Sequence, residues 1–92
     1  MLYNKDEFLS FLRFEKRYSE YTIQSYNNDL SQYLAFCNEA GSDGFMFDPG
    51  MIRMWIVSLL EGGISARSVH RKLSTLKTFI KYLIREIGRA HV

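Results

Sequence analysis

The sequence predicts an all-α fold, a small four-helix bundle. Three observations carry that expectation. Apolar residues recur at intervals of three and four along almost the whole chain, the alternation of a half-buried strand is absent, and the single proline, Pro49, stands where a helix begins. The length of 92 residues supports one domain. A 47% hydrophobic and 15% aromatic composition excludes a disordered chain. No apolar run approaches the ~20 residues of a membrane span, and the longest, residues 55–60, contains Ser58. Asp6 and Glu7 make the N-terminus acidic, which does not suit a signal or transit peptide. Cys37 is the only cysteine, so no intrachain disulfide can form, and a cytoplasmic setting is expected.

The first helix is expected to start at Asn4, with Glu7 completing a capping-box pattern, and to end near Arg17. Phe8, Leu9, Phe11, Leu12 and Phe14 form its wide apolar face. Ser19 then caps a second helix running to about Ala40. Ile23, Tyr26, Leu30, Tyr33, Leu34 and Cys37 share one face of it, and Ser25, Asn28, Asp29 and Gln32 the other. Gly41 is its C-terminal cap, and residues 41–47 read as a loop. Asp48 caps the third helix with Pro49 at its first position, where the missing N–H costs nothing. Ile52, Trp55, Ile56 and Leu59 form its buried stripe, and Gly62 and Gly63 stop it. Ser65 caps the fourth helix, on which Val69, Leu73, Leu76, Ile80, Leu83 and Ile87 fall within about 40° of a common direction at 100° per residue.

Net charge is only +2, but its distribution is lopsided. Residues 1–63 carry five cations against nine acids, a net −4, whereas residues 64–92 carry seven cations against Glu86, a net +6. Arg67, His70, Arg71, Ser74, Lys77, Thr78, Lys81 and Arg85 occupy the arc of the fourth helix opposite its apolar stripe. Two readings account for this: the helix meets a polyanion, or it docks on the acidic remainder of its own domain. A merely solvated face would mix both signs, and Arg67 and Arg71 stand at a helix start, where the macrodipole disfavours cations but attracts phosphate. The arc therefore favours nucleic acid.

No catalytic constellation is present. His70 and His91 are the only histidines, Cys37 lies on a buried stripe, and a metal site needs three or four ligands at suitable spacing. Gly62 and Gly63 lack the spacing and the following Lys-Ser/Thr of a phosphate-binding loop. No catalytic residue, metal, cofactor or small-molecule substrate is expected.

Two stretches carry a family pattern. Ser19, Thr22, Tyr26, Asp29 and Leu30 follow Ser-x-x-Thr-x-x-x-Tyr-x-x-Asp-Leu, and Ser65, Ser68, Arg71, Leu73, Ser74, Leu76, Lys77 and Phe79 follow Ser-x-x-Ser-x-x-Arg-x-Leu-Ser-x-Leu-Arg/Lys-x-Phe. In this order and spacing, with Trp55 and the Gly62–Gly63 terminator between them, the chain resembles the SAM-like core-binding domain of tyrosine recombinases and phage-type integrases, especially the Xer-like branch. The resemblance spans residues 3–87. It implies one half of a clamp around double-stranded DNA, with the nucleophilic tyrosine and its arginine, lysine and histidine partners on a separate catalytic domain. Tyr82 belongs to the core-binding pattern and is not that nucleophile. The chain is accordingly not itself an enzyme, and other recombinase protomers are implied as partners of the full-length protein. Residues 1–87 are expected to be the DNA-binding domain. Residues 88–92, where the family continues into its linker, read as a non-native tail or the start of a linker cut short. Arg67, Arg71, Lys72 and Lys77 are expected on phosphates or guanine edges, Ser65, Ser68 and Thr75 as added hydrogen bonds, and Thr22 and Ser25 near the same backbone. The alternatives are a helical protein-interaction domain with a basic docking helix and a helix-turn-helix regulator.

Overall fold

The structure is a computed structural model that describes residues 5–41 and 48–90, with side chains as far as residue 86. The expected all-α bundle is what it shows. Four helices follow one another: α1 (Lys5–Phe14), α2 (Glu20–Glu39), α3 (Pro49–Glu61) and α4 (Ala66–Ala90). Among the described residues no helix is long and apolar enough to cross a membrane.

Local chemistry places the helix ends. The Ser19 hydroxyl accepts the Thr22 N–H at 3.2 Å, the Asp48 carboxylate accepts the Met51 N–H at 3.2 Å, and the Ser65 hydroxyl accepts the Ser68 N–H at 3.2 Å. The α3–α4 turn is a Schellman closure: Gly63 N–H donates to the Leu60 carbonyl and Ile64 N–H to that of Leu59. Gly63 takes φ +92° there, a conformation that suits glycine. Asn4 and residues 42–47 lie outside the described residues, as do the proposed Asn4 cap and most of the loop after Gly41.

α1 ends earlier than its sequence suggests, at Phe14 rather than near Arg17. The chain must reverse to reach the Ser19 cap. It does so with Arg17 at φ 57° and with the Lys16 and Tyr18 N–H groups reaching back to the Phe11 and Leu12 carbonyls. Phe14, expected on the apolar face, is consequently exposed. Arg13 and Glu20 brace this turn through two hydrogen bonds of 2.7 and 3.0 Å. That bond raises the Arg13 pKa and lowers that of Glu20.

The core is drawn from all four helices: Phe8 and Leu12, Ile23, Leu30, Tyr33 and Cys37, Trp55, and Leu76 and Phe79. It has two aromatic centres. The Phe8 ring lies 4.8 Å from Phe79 and 5.2 Å from Tyr82, and the Tyr33 ring meets Trp55 edge-on at 5.1 Å. On α3 only Trp55 is fully buried; Ile52, Ile56 and Leu59 are half-buried.

The buried face of α4 differs from the expected stripe. Val69, Lys72, Thr75, Leu76 and Phe79 are its buried residues, while Leu73, Ile80 and Leu83 are only half-buried. The helix is thus rotated about 55° from the direction its aliphatic residues alone define. Two polar side chains have gone inside because α2 supplies their partners.

Leu76 is 1% exposed, within the core. Leu76→Ala is expected to lower stability by roughly 2–5 kcal/mol in a urea melt, through lost transfer energy and the cavity left behind.

Burial pushes the Tyr33 phenol and the Cys37 thiol above their ordinary pKa values; the hydrogen bond between them adds to the rise at Tyr33 and opposes it at Cys37. The folded state therefore keeps protons that the unfolded chain releases above about pH 9. Stability is accordingly expected to be intact below that pH and to fall as pH rises through the alkaline range. Urea midpoints measured from about pH 8 to 10 check this, and Cys37→Ala should flatten the early part of the decline.

Candidate nucleic-acid interface

The organising contact lies on the seam between α2 and α4. Asp29 follows Tyr26 by one turn and directly precedes the core residue Leu30, which places it at the edge of the buried face. It is 1% exposed. A carboxylate withdrawn from water to that extent needs partners, and α4 supplies three. Arg71 Nη1 donates to Oδ2 at 2.8 Å, Thr75 Oγ1 donates to the same oxygen at 3.0 Å, and Lys72 Nζ donates to Oδ1 at 3.1 Å. Lys72 also donates to Gln32 Oε1 at 2.6 Å, and Arg71 Nη1 to Ser25 Oγ at 2.9 Å.

This arrangement corrects one reading of the sequence. Asp29, expected on the polar face of α2, is instead among the most buried side chains of the domain. The physical reason is the cationic pair opposite. Lys72, only 6% exposed, is neutralised by Asp29, and its alkyl stem fills the seam.

The nine residues expected to meet DNA divide accordingly. Lys72 and Thr75 are buried, with their polar atoms turned toward Asp29. Ser25 and Arg71 border the same network but reach the surface, the Arg71 side chain being 50% exposed. Arg67 lies one turn before Arg71 and is exposed. Ser65 caps α4 and donates its hydroxyl to that of Ser68 in the first turn, whereas Thr22 is half-buried and accepts the Ser19 hydroxyl at 3.0 Å. Lys77 is exposed further along α4, on the flank of the arc away from Arg71. Arg85 stacks over the Phe11 ring at 4.6 Å and so contributes to packing as well as charge.

Around the network an open groove of about 500 Å³ is lined by Tyr21, Gln24, Ser25, Asn28, Gln32 and Arg71, with Asp29 and Lys72 at its base. Tyr21 stands 83% exposed at its rim. Of these, Tyr21 is by its helical spacing expected in the core, with contact to a nucleic acid backbone as the alternative, and it is exposed; Asn28 and Gln32 lie on the expected polar face but are not among the nine expected contacts, and Gln24 carries no sequence signal of its own. The available signal was their 3–4 spacing along α2 with Ser25 and Asp29. Among the described residues no group of three or more His, Cys, Asp or Glu side chains could hold a metal. The arrangement suits recognition of an anion, through the amides of the groove and the cations beside it.

The four-helix bundle agrees with the fold that the two sequence patterns imply. Residues 6–87 match the family described as phage integrase, N-terminal SAM-like domain, and the chain belongs to that family. Among curated proteins it is 41% identical over 81 residues to the tyrosine recombinase XerC of Leptospira interrogans serovar Lai, covering 87% of this chain and 26% of that protein. It is 40% identical to the tyrosine recombinase XerD of Chlorobaculum tepidum (88% and 27%) and 34% identical to XerC of Bacillus subtilis strain 168 (86% and 26%). The chain thus spans about a quarter of the length of these relatives. No solved structure matches it.

Loss of the seam carboxylate strands a buried ammonium. Asp29→Ala is expected to destabilise the fold by about 3–5 kcal/mol. Lys72→Met, which keeps the stem and leaves Asp29 with Arg71 and Thr75, should cost clearly less. Chemical denaturation of the two variants side by side checks the order.

Proposed function

We propose that this domain is the DNA-binding half-clamp of a site-specific tyrosine recombinase, taking part in strand exchange while a catalytic domain elsewhere in the parent protein breaks and rejoins the DNA. The reading covers residues 1–87, places the protein in the cytoplasm with the DNA, and makes other recombinase protomers its partners there. The observation that carries it is the one-signed outer arc of α4. Arg67, His70, Arg71, Lys77 and Lys81 are all exposed on it, and the only acid among the described residues of α4 is Glu86, at the far end. Internal docking accounts for Lys72 and for one end of Arg71, but not for Arg67, Lys77 or Lys81. In this reading Arg67, Arg71 and Lys77 meet phosphates or base edges, with Ser65, Ser68 and Thr22 as neighbouring hydrogen-bonding groups and Ser25 acting through its bond to Arg71. Lys72 and Thr75 act from beneath by holding α4 against α2. The names of the relatives and the family of the domain support the same assignment.

Neutralising about four phosphates with Arg67, Arg71, Lys77 and Lys81 should make log K fall with log salt at a slope close to −4. A fluorescence-anisotropy titration of the chain against duplex DNA at several salt concentrations measures it. A flat response would instead favour the competing reading, a helical domain whose basic helix docks on a protein partner.

A further inference from the structure

Arg71 is anchored at one end only. Its Nη1 group carries two hydrogens and has two acceptors, Ser25 Oγ at 2.9 Å and Asp29 Oδ2 at 2.8 Å. Its Nε and Nη2 groups make no hydrogen bond to any described residue, and half of the side chain faces solvent at the groove. The free edge is the one on which Nε–H and an Nη2–H run parallel, the geometry that grips two acceptors at once. An unrestrained arginine would lose rotamer freedom on taking up that pose. Here the restraint exists beforehand, and the residue imposing it is itself locked by Lys72 and Thr75.

We infer that Asp29 is a positioning residue for DNA recognition. Together with Ser25 it fixes the Nη1 end of Arg71 so that the Nε–Nη2 edge is presented as a ready-made fork for a pair of acceptors on the duplex. This inference rests on the DNA-binding reading above and sharpens it. Two phosphate oxygens offer such a pair, and so do O6 and N7 of guanine.

Electrostatics makes the idea falsifiable by its sign. Asp29→Asn removes a negative charge from a face that meets DNA. If the carboxylate mattered only through its charge, the substitution would tighten binding. If it holds Arg71, binding weakens although the protein has become more cationic.

The experiment titrates the 92-residue chain and the variants Asp29→Asn, Arg71→Ala and their double against random-sequence duplexes of about 30 base pairs at about 50 mM salt. Circular dichroism confirms that each variant is folded at the titration temperature. Asp29→Asn should weaken binding about fivefold or more, and should add no further loss once Arg71 is alanine. Tighter or unchanged binding by folded Asp29→Asn overturns the inference, as does an equal loss in both backgrounds, which marks a role through the fold alone. Should Asp29→Asn fail to fold, Ser25→Ala takes its place, since it removes the other tether without touching the core. Its loss must likewise vanish when Arg71 is alanine, and a loss that persists overturns the inference. Parallel titrations on dG·dC and dA·dT duplexes separate the two acceptor pairs. A loss confined to dG·dC assigns the guanine edge, and equal losses assign phosphate. Salt-dependent binding by the unsubstituted chain with none of these couplings overturns the role of Asp29 alone, whereas no salt-dependent binding at all overturns the DNA reading with it.

Discussion

A single buried carboxylate governs how the two longest helices meet. Asp29 is closed off from water, and both its oxygens are occupied by donors from α4. Buried ion pairs of this kind add little net stability compared with well-packed apolar residues, because desolvation offsets most of the attraction. What they supply is selectivity of arrangement. An α4 rotated back onto its aliphatic stripe would leave Asp29 without partners and Lys72 without a counter-charge. The register and rotation of α4 on α2 are therefore fixed by an arrangement in which errors cost several kcal/mol.

The rest of the domain accommodates that choice. With Leu73 and Ile80 turned toward the edge, the centre of the bundle is filled by Leu76 and by one ring from each of the four helices, Phe8, Tyr33, Trp55 and Phe79. Large aromatic side chains bury much area per residue, which suits a chain this short. The same rotation carries Lys77 and Lys81 further from the core, so the packing that neutralises two cations also displays others.

The ends of α2 and α3, the start of α4 and most of the core were legible in the sequence because their signals are local, whereas the end of α1 was not. Ser19, Asp48 with Pro49, Ser65 and the two glycines at 62–63 act within a turn of themselves, and the structure uses each as expected. Trp55 and Leu76 were legible because helical periodicity alone places them inside. The rotation of α4 and the burial of Asp29 were not. Both depend on pairing between residues more than forty positions apart, and a polar residue beside an apolar one reads as surface unless its partner is known. The same limitation mixed two kinds of cation in the candidate site. Lys72 and Arg71 are neighbours of equal charge, and only the structure separates the one held inside from the one that reaches out.

The topology of this seam also bears on how the chain acquires its fold. The α3–α4 turn closes within a few residues, and α1 is joined to α2 by the short reversal at Arg17, so each helix pair can assemble through contacts near in sequence. The Asp29 network joins positions 40 to 46 residues apart. Loop-closure entropy delays such contacts relative to local ones. Docking of the two hairpins across the seam is thus the non-local step of folding, and until it occurs α4 carries its full complement of unneutralised positive charge.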